Sequence, residues 1–258
     1  MRYEDYTDMG GVGQAFLTTH WSLIEDVGAG EHEKNQALIE LLLKKYWKPV
    51  YCYLRRKGYQ NEEAKDLTQG FFHEVVLGRS LIEKADRTKG RFRSFLLMAL
   101  NRYVINVQQE QAAKKRMPRG KLIPQDMADM ADLPHAITTL RAEDAFTYAW
   151  VSALLEQVLR EVQAGCDRDG KTVHWHVFCD RIVRPIMKAG DAPSLDKLCQ
   201  KYSISDTAKA SNMVVTAKRR FQTALREHLR NSVMSDDEAE AELKEMRRFL
   251  PRLAQDGA

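Results

Sequence analysis

Between Asn61 and Val76 the chain sets Ala64, Leu67, Phe71 and Val75 three or four residues apart, so that on a helix they form one apolar stripe. Asp66, Gln69, His73 and Glu74 fall off that stripe. One face of the segment packs, and two carboxylates, an amide and an imidazole are left to meet a partner. The next periodic segment, Gly90 to Asn106, interleaves basic and aromatic residues. Single-stranded nucleic acid needs that combination, because cations neutralise phosphates and rings stack on bases. Helical phase assigns Phe92, Phe95, Leu96, Ala99, Tyr103 and Val107 to a core and turns Arg91, Arg93, Asn101, Arg102, Asn106 and Gln109 outward. Amide and guanidinium groups can read exposed base edges, and arginines also hold phosphates. Lys114, Lys115 and Arg116 follow as a run suited to salt-sensitive phosphate contact.

Other constellations point away from chemistry. Cys166, His174, His176 and Cys179 carry metal-capable side chains, but their spacing matches no common structural zinc site, so they read as buried thiols and surface imidazoles. Asp167 to Gly170 resembles the opening of a calcium loop without the glutamate that closes one, and reads as a turn between helices. No hydrolytic triad, phosphate-binding glycine loop or pair of catalytic acids can be assembled. The expectation is a protein that is not an enzyme and holds no metal or cofactor.

The elements that must position these residues are helical. Apolar spacing starts near Trp21 and returns at Leu38, Leu41, Leu42, Tyr46 and Val50, with Pro49 expected to kink or restart the helix and Gly58 to stop it. Asn61 is placed to cap the following helix, which should end near Gly78. From Ala112 to Leu140, Pro118, Pro124 and Pro134 interrupt any sustained period, the signature of a linker. Helical spacing resumes near Ala142, turns at Gly165 to Gly170, and continues from Thr172 to Val183, where Pro185 is expected to stop it. Ser194 to Tyr202, a break at Ser203 to Asp206 and a basic helix from Thr207 to Arg230 read as a helix-turn-helix. Near the end, Leu243, Met246, Phe249 and Leu250 share one side of an acidic segment. It reads either as a packing helix or as an acidic arm that competes with DNA for the basic helix.

In 258 residues with an apolar fraction of 44%, two small helical cores fit better than one large one. The formal charge of +4 matters less than its placement. Arg102, Lys114, Lys115, Arg116, Arg119 and Lys121 face Glu110 alone in one stretch. Lys209, Lys218, Arg219, Arg220, Arg226 and Arg230 face Glu227 alone in another. Two basic patches and an acidic tail suit a polyanion-binding protein with a flanking modulator. No stretch approaches a membrane span and the start lacks a signal-peptide pattern, so a cytoplasmic protein without membrane contact is expected. Four scattered cysteines suggest free thiols rather than a disulfide framework.

The run Asp66-Leu-Thr-Gln69 with Phe71-Phe72, followed by Arg91-Phe-Arg-Ser-Phe-Leu96, resembles region 2 of the extracytoplasmic-function sigma factors, the small promoter-recognition subunits of bacterial RNA polymerase. Phe16 to Ile24 and Tyr46 to Leu54 resemble a divergent, planctomycete-like branch of that family, and the likeness covers most of residues 16 to 232. It implies an all-α protein of two helical domains. Residues 1–15 would be a mobile segment, 16–111 a region 2 bundle, 112–140 a flexible basic linker, 141–232 a region 4 helix-turn-helix domain and 233–258 an acidic extension. By the same resemblance Asp66, Gln69, His73 and Glu74 dock on the clamp helices of the largest polymerase subunit, and region 4 meets the flap. Arg91, Arg93, Asn101, Arg102, Asn106, Gln109, Lys114, Lys115 and Arg116 would hold the opened minus-ten strand. Ser211, Asn212, Thr216, Lys218, Arg219 and Arg220 would contact the minus-thirty-five element. The chain departs from the family pattern in having Asn101-Arg102 where many members have Arg-Asn, and one extra residue between Ser205 and Lys218. An anti-sigma factor or a protein kinase is a further partner class. The rival reading is a sigma-fold DNA-binding regulator or interaction module without polymerase docking.

Overall fold

Helix α1 (His32–Arg56) is stopped by Gly58, as expected. The glycine takes a φ of 97°. Its N–H donates to the carbonyl of Arg55 at 3.1 Å and that of Tyr59 to the carbonyl of Leu54 at 3.3 Å. The chain thus folds back over its last open carbonyls, a closure that needs a residue without Cβ at the turn. The computed structural model describes residues 32–77, 91–115, 135–188, 190–230 and 236–249. Among these residues every regular element is helical and none is a strand, so the chain is all-α. The N-terminal segment 1–15, the spacing near Trp21, the loop before Gly90, Arg116 with most of the linker, and residues 250–258 lie outside the described residues.

After α1 come α2 (Asn61–Gly70), which runs directly into a π-helical stretch (Phe71–Leu77), and α3 (Phe92–Lys115). Next are α4 (His135–Thr138), α5 (Ala142–Arg168) and α6 (Thr172–Phe178), the last continued by a second π stretch (Cys179–Val183) and by α7 (Arg184–Lys188). The helix-turn-helix pair α8 (Leu195–Tyr202) and α9 (Thr207–Arg230) precedes α10 (Asp236–Arg247).

Local expectations needed correction at three points. Pro49 does not restart α1, because losing one N–H removes a single rung from a helix whose inner face is otherwise buried. Pro185 does not stop its helix either. The π stretch just before it widens the turn where the ring would meet the carbonyl four residues back, and the helix continues to Lys188. Asn61 is the first residue of α2 rather than its cap, and its side chain accepts a hydrogen bond from the Tyr51 hydroxyl at 2.7 Å.

A division into two separate cores is not confirmed. All seven positions from Ala145 to Val151 are buried, and a helix that is apolar all round must be covered on every side. Helix α1 covers one side of α5, with Tyr46 stacked on Phe146 at 6.3 Å, and α6 and α9 cover others. Buried residues from Leu42 to Phe249 consequently form one cluster. The expected linker is partly built into it: α3 continues to Lys115, Ile137 and Leu140 are buried, and Arg56 Nε donates to the Leu140 carbonyl at 2.7 Å. A smaller cluster of Val177, Leu198, Ile204 and Ala210 seats the helix-turn-helix. Helix α10 takes the packing alternative, with Met246 and Phe249 buried and Phe249 edge-on to Tyr148 at 6.3 Å. No helix among the described residues is long and apolar enough to cross a membrane.

Candidate nucleic-acid interface

Helix α2 presents the face that its spacing predicts. Ala64, Thr68, Phe71 and Val75 are buried, whereas Asp66, Gln69, His73 and Glu74 are exposed. Thr68 satisfies its hydroxyl by donating to the Ala64 carbonyl at 2.7 Å. Gly70 lies against α3 so closely that a Cβ there would stand 2.5 Å from Tyr103 Oη, and Tyr103 is itself buried. This glycine lets the helix with the acidic and amide groups approach the helix with the basic and aromatic ones, a role the sequence pattern does not reveal.

On α3, Phe92, Leu96 and Tyr103 are buried as expected, Phe95, Ala99 and Val107 are half-buried, and Leu100 and Val104, which the spacing did not assign to the core, are buried. Its predicted polar face divides. Arg102, Asn106 and Gln109 are exposed and lie within two turns of one another. Met98 and Ile105 flank them and are 51% and 49% exposed, apolar surface that stacked or unpaired bases could cover. Asn101 is instead engaged, accepting from the Tyr53 hydroxyl at 2.6 Å. Lys114 and Lys115 lie in the last turn of α3, and their side chains, like Arg116, are outside the described residues.

Arg91 and Arg93 do not face outward. Arg93 is 6% exposed and its guanidinium lies 4.5 Å over the Trp150 ring. Its Nη2 donates to Glu242 and Glu245, each at 2.9 Å. Arg91 Nη1 donates to Glu245 at 2.8 Å and its Nε lies 3.3 Å from Glu242. Helical phase misplaced these two because it treats α3 as resting on one neighbour. In the structure α5 and α10 close over the start of α3, and two acids from α10 neutralise the arginines that the closure buries. Glu242 is 2% exposed, and burial raises its carboxyl pKa although Arg93 and Arg91 act to lower it. Lys45 completes the group. Burial lowers its pKa to about 7, with Glu242 opposing and Arg93 reinforcing the shift, and its Nζ finds no hydrogen-bond partner among the described residues.

The helix-turn-helix is held by caps at both helix starts. Ser194 Oγ accepts from the Lys197 N–H at 3.3 Å, and Asp206 Oδ1 accepts from the Lys209 N–H at 2.7 Å. That bond to Lys209, with one from Ser205, holds the Asp206 carboxyl below the usual aspartate range. Between the helices Ser203 adopts φ 53°, and the Ile204 N–H closes on the Cys199 carbonyl at 2.9 Å. Asn212, Lys218 and Arg219 are exposed on α9, and Val215 beside them is 59% exposed. Ser211 and Thr216 are half-buried, and Thr216 Oγ1 donates back to the Asn212 carbonyl at 2.8 Å. Arg220 is engaged at the surface, its Nη2 donating to the exposed Asp169 at 2.5 Å. This pairing holds the Asp169 carboxyl below its ordinary range.

Asp180, which sequence reasoning did not single out, fixes α8 to the π stretch. Its side chain is buried and accepts from Lys201 at 2.7 Å, from Tyr202 at 2.6 Å and from Arg184. Burial opposes ionisation, but the bonds from Lys201 and Tyr202 and the charge of Arg184 leave the carboxyl below its ordinary value. Asp180→Asn should therefore destabilise the protein by about 1.5–3 kcal/mol at pH 7. A depressed carboxyl contributes its stability above about pH 4 and loses it as the pH falls through its own lower pKa. Urea melts at pH 7 and pH 3 should show the gap between parent and variant shrinking in acid.

Cys166 is buried and Cys179 half-buried, and burial pushes the Cys179 thiol up to about 12. His176 stacks on Tyr202 at 6.1 Å. Comparisons with protein-family models, with curated proteins and with solved structures each return no match.

Proposed function

We propose that the chain is a sigma factor of the extracytoplasmic-function type, which binds core RNA polymerase and supports transcription initiation in the cytoplasm. One observation carries the reading. Asp66, Gln69, His73 and Glu74 all project from a helix whose other side is buried, while the adjoining helix turns Arg102, Asn106 and Gln109 to solvent. The acid and amide groups serve the polymerase clamp. Arg102, Asn106 and Gln109, flanked by Met98 and Ile105, serve the opened minus-ten strand. Asn212, Lys218 and Arg219 on the capped helix α9 serve the minus-thirty-five element, with Ser211 and Thr216 at its margin and the linker cations Lys114, Lys115 and Arg116 holding phosphates. Arg91, Arg93, Asn101 and Arg220 are assigned to the scaffold rather than to DNA. The activity is binding, without catalytic chemistry of its own. An anti-sigma factor or a kinase remains a partner class for the same surfaces.

The deciding experiment is Asp66→Ala with Gln69→Ala. Both groups are exposed, so the double variant should stay within about 0.5 kcal/mol of the parent in stability. It should nevertheless lose core polymerase in copurification and lose promoter-dependent run-off transcription. Unchanged polymerase affinity in a normally melting variant would leave the rival reading, a DNA-binding regulator or interaction module without polymerase docking.

A further inference from the structure

A cavity of about 290 Å³ opens between α5, the α6–α7 segment, α9 and α10. Phe178, Leu225 and Met246, all buried, line it together with Phe221, Ile182 and Ile186. Ile186 is 46% exposed, so the lining keeps apolar surface in water. The π stretch ahead of Pro185 supplies part of that lining, and such stretches recur at functional sites because they re-aim side chains without ending the helix. Met187 and Met246 add side chains that adapt to irregular occupants.

The mouth has one sign of charge. Lys218 and Arg226 stand two turns apart on α9, Arg247 faces them from α10, and no acidic side chain lines the cavity. All three cations are exposed, and none forms an ion pair among the described residues. An occupant must therefore place apolar surface inside and a negative charge at the rim. The cavity is about the size at which small-molecule sites begin, roughly 300 Å³, which suits a small molecule better than a peptide helix. From this we infer that the cavity is a binding site for a small apolar carboxylate, an aliphatic or aromatic acid whose tail fills the space and whose carboxylate meets Arg226 and Arg247. The inference shares Lys218 with the promoter reading but rests on Arg226 and Arg247, which that reading does not use.

Isothermal titration of the full chain with octanoate, 1-octanol and octylammonium tests it, since the three share one tail and differ in head charge. Octanoate should bind saturably with one site per chain, at least tenfold more tightly than octanol, and octylammonium should not bind. Arg226→Ala with Arg247→Ala changes only exposed side chains and should weaken octanoate at least tenfold while leaving octanol unchanged. Equal binding of octanoate and octanol, an unaffected double variant, or no saturable binding would overturn the assignment. So would saturable binding of an acidic amphipathic helical peptide by a protein that ignores octanoate, because the groove would then belong to a partner's helix.

Discussion

Arg93→Ala should destabilise the protein by about 3–5 kcal/mol, the range expected when one partner is removed from a buried ion pair and the other is left behind. Arg93 covers the Trp150 ring and supplies hydrogen bonds to Glu242 and Glu245, and Glu242 is almost fully buried. For a protein of this size the loss corresponds to a fall in Tm of roughly 6–20 °C. Glu242→Gln placed on the Arg93→Ala background should recover part of it, because a neutral amide is cheaper to bury than an unpaired carboxylate. Thermal melts of the two single variants and the double decide the matter. Were Arg93 an exposed DNA contact, its removal would cost about 0.5 kcal/mol or less, the melts would coincide, and only DNA affinity would fall. Arg102→Ala is the counterpart, expected to spare stability and weaken single-strand binding in a salt-dependent way.

The opposite sign is expected at Lys45, where Lys45→Met should stabilise the protein by about 1–3 kcal/mol at pH 7, the range for relieving an unsatisfied buried polar group. Lys45 Nζ is buried with no hydrogen bond among the described residues, and the two acids nearby are already engaged by Arg91 and Arg93, so its charge is compensated mainly by the Tyr46 ring 5.7 Å away. The unperturbed lysine pKa is about 10.4, and burial brings Lys45 down to about 7. Between those values the unfolded chain holds a proton that the folded chain has released, so the parent should gain stability as pH rises from 7 towards 10. Below pH 7 both states are protonated and the penalty is constant. The Lys45→Met substitution removes this slope. Other groups that titrate in the window are common to both proteins, so the difference between parental and variant urea midpoints at pH 7 and pH 9.5 isolates Lys45. A variant that keeps the parental pH slope would show that the amine is not buried as described.

Much of the helical framework was legible because it depends on local physics. The stop at Gly58 acts over a few residues, and the stripe of Ala64, Phe71 and Val75 follows from helical period alone. The exposed side of α2 was legible for the same reason, since one packed stripe implies one free face. The two π stretches were not, because a proline or an aromatic pair marks a stress in the helix without saying whether the chain breaks or widens. The cluster that runs across the expected boundary was also hidden. Proline-rich sequence between Ala112 and Leu140 reads as a boundary, and only the continuous burial of Ala145 to Val151 shows that α5 is shared by both halves.

By itself the sequence determined that this chain is helical, where its basic and acidic groups cluster, and that a turn joins two helices near Ser203. The tertiary structure decided which of those charges remain available. Arg91 and Arg93 are neutralised by acids 149 to 154 residues away, and Arg220 by an acid 51 residues away. Helical period sets the direction of a side chain relative to its own axis, but whether that direction leads to water depends on a neighbour brought in by the fold. Arg102, Lys218 and Arg219 meet no such neighbour among the described residues, and they are the cations from the predicted DNA-contact set that stay available to a polyanion.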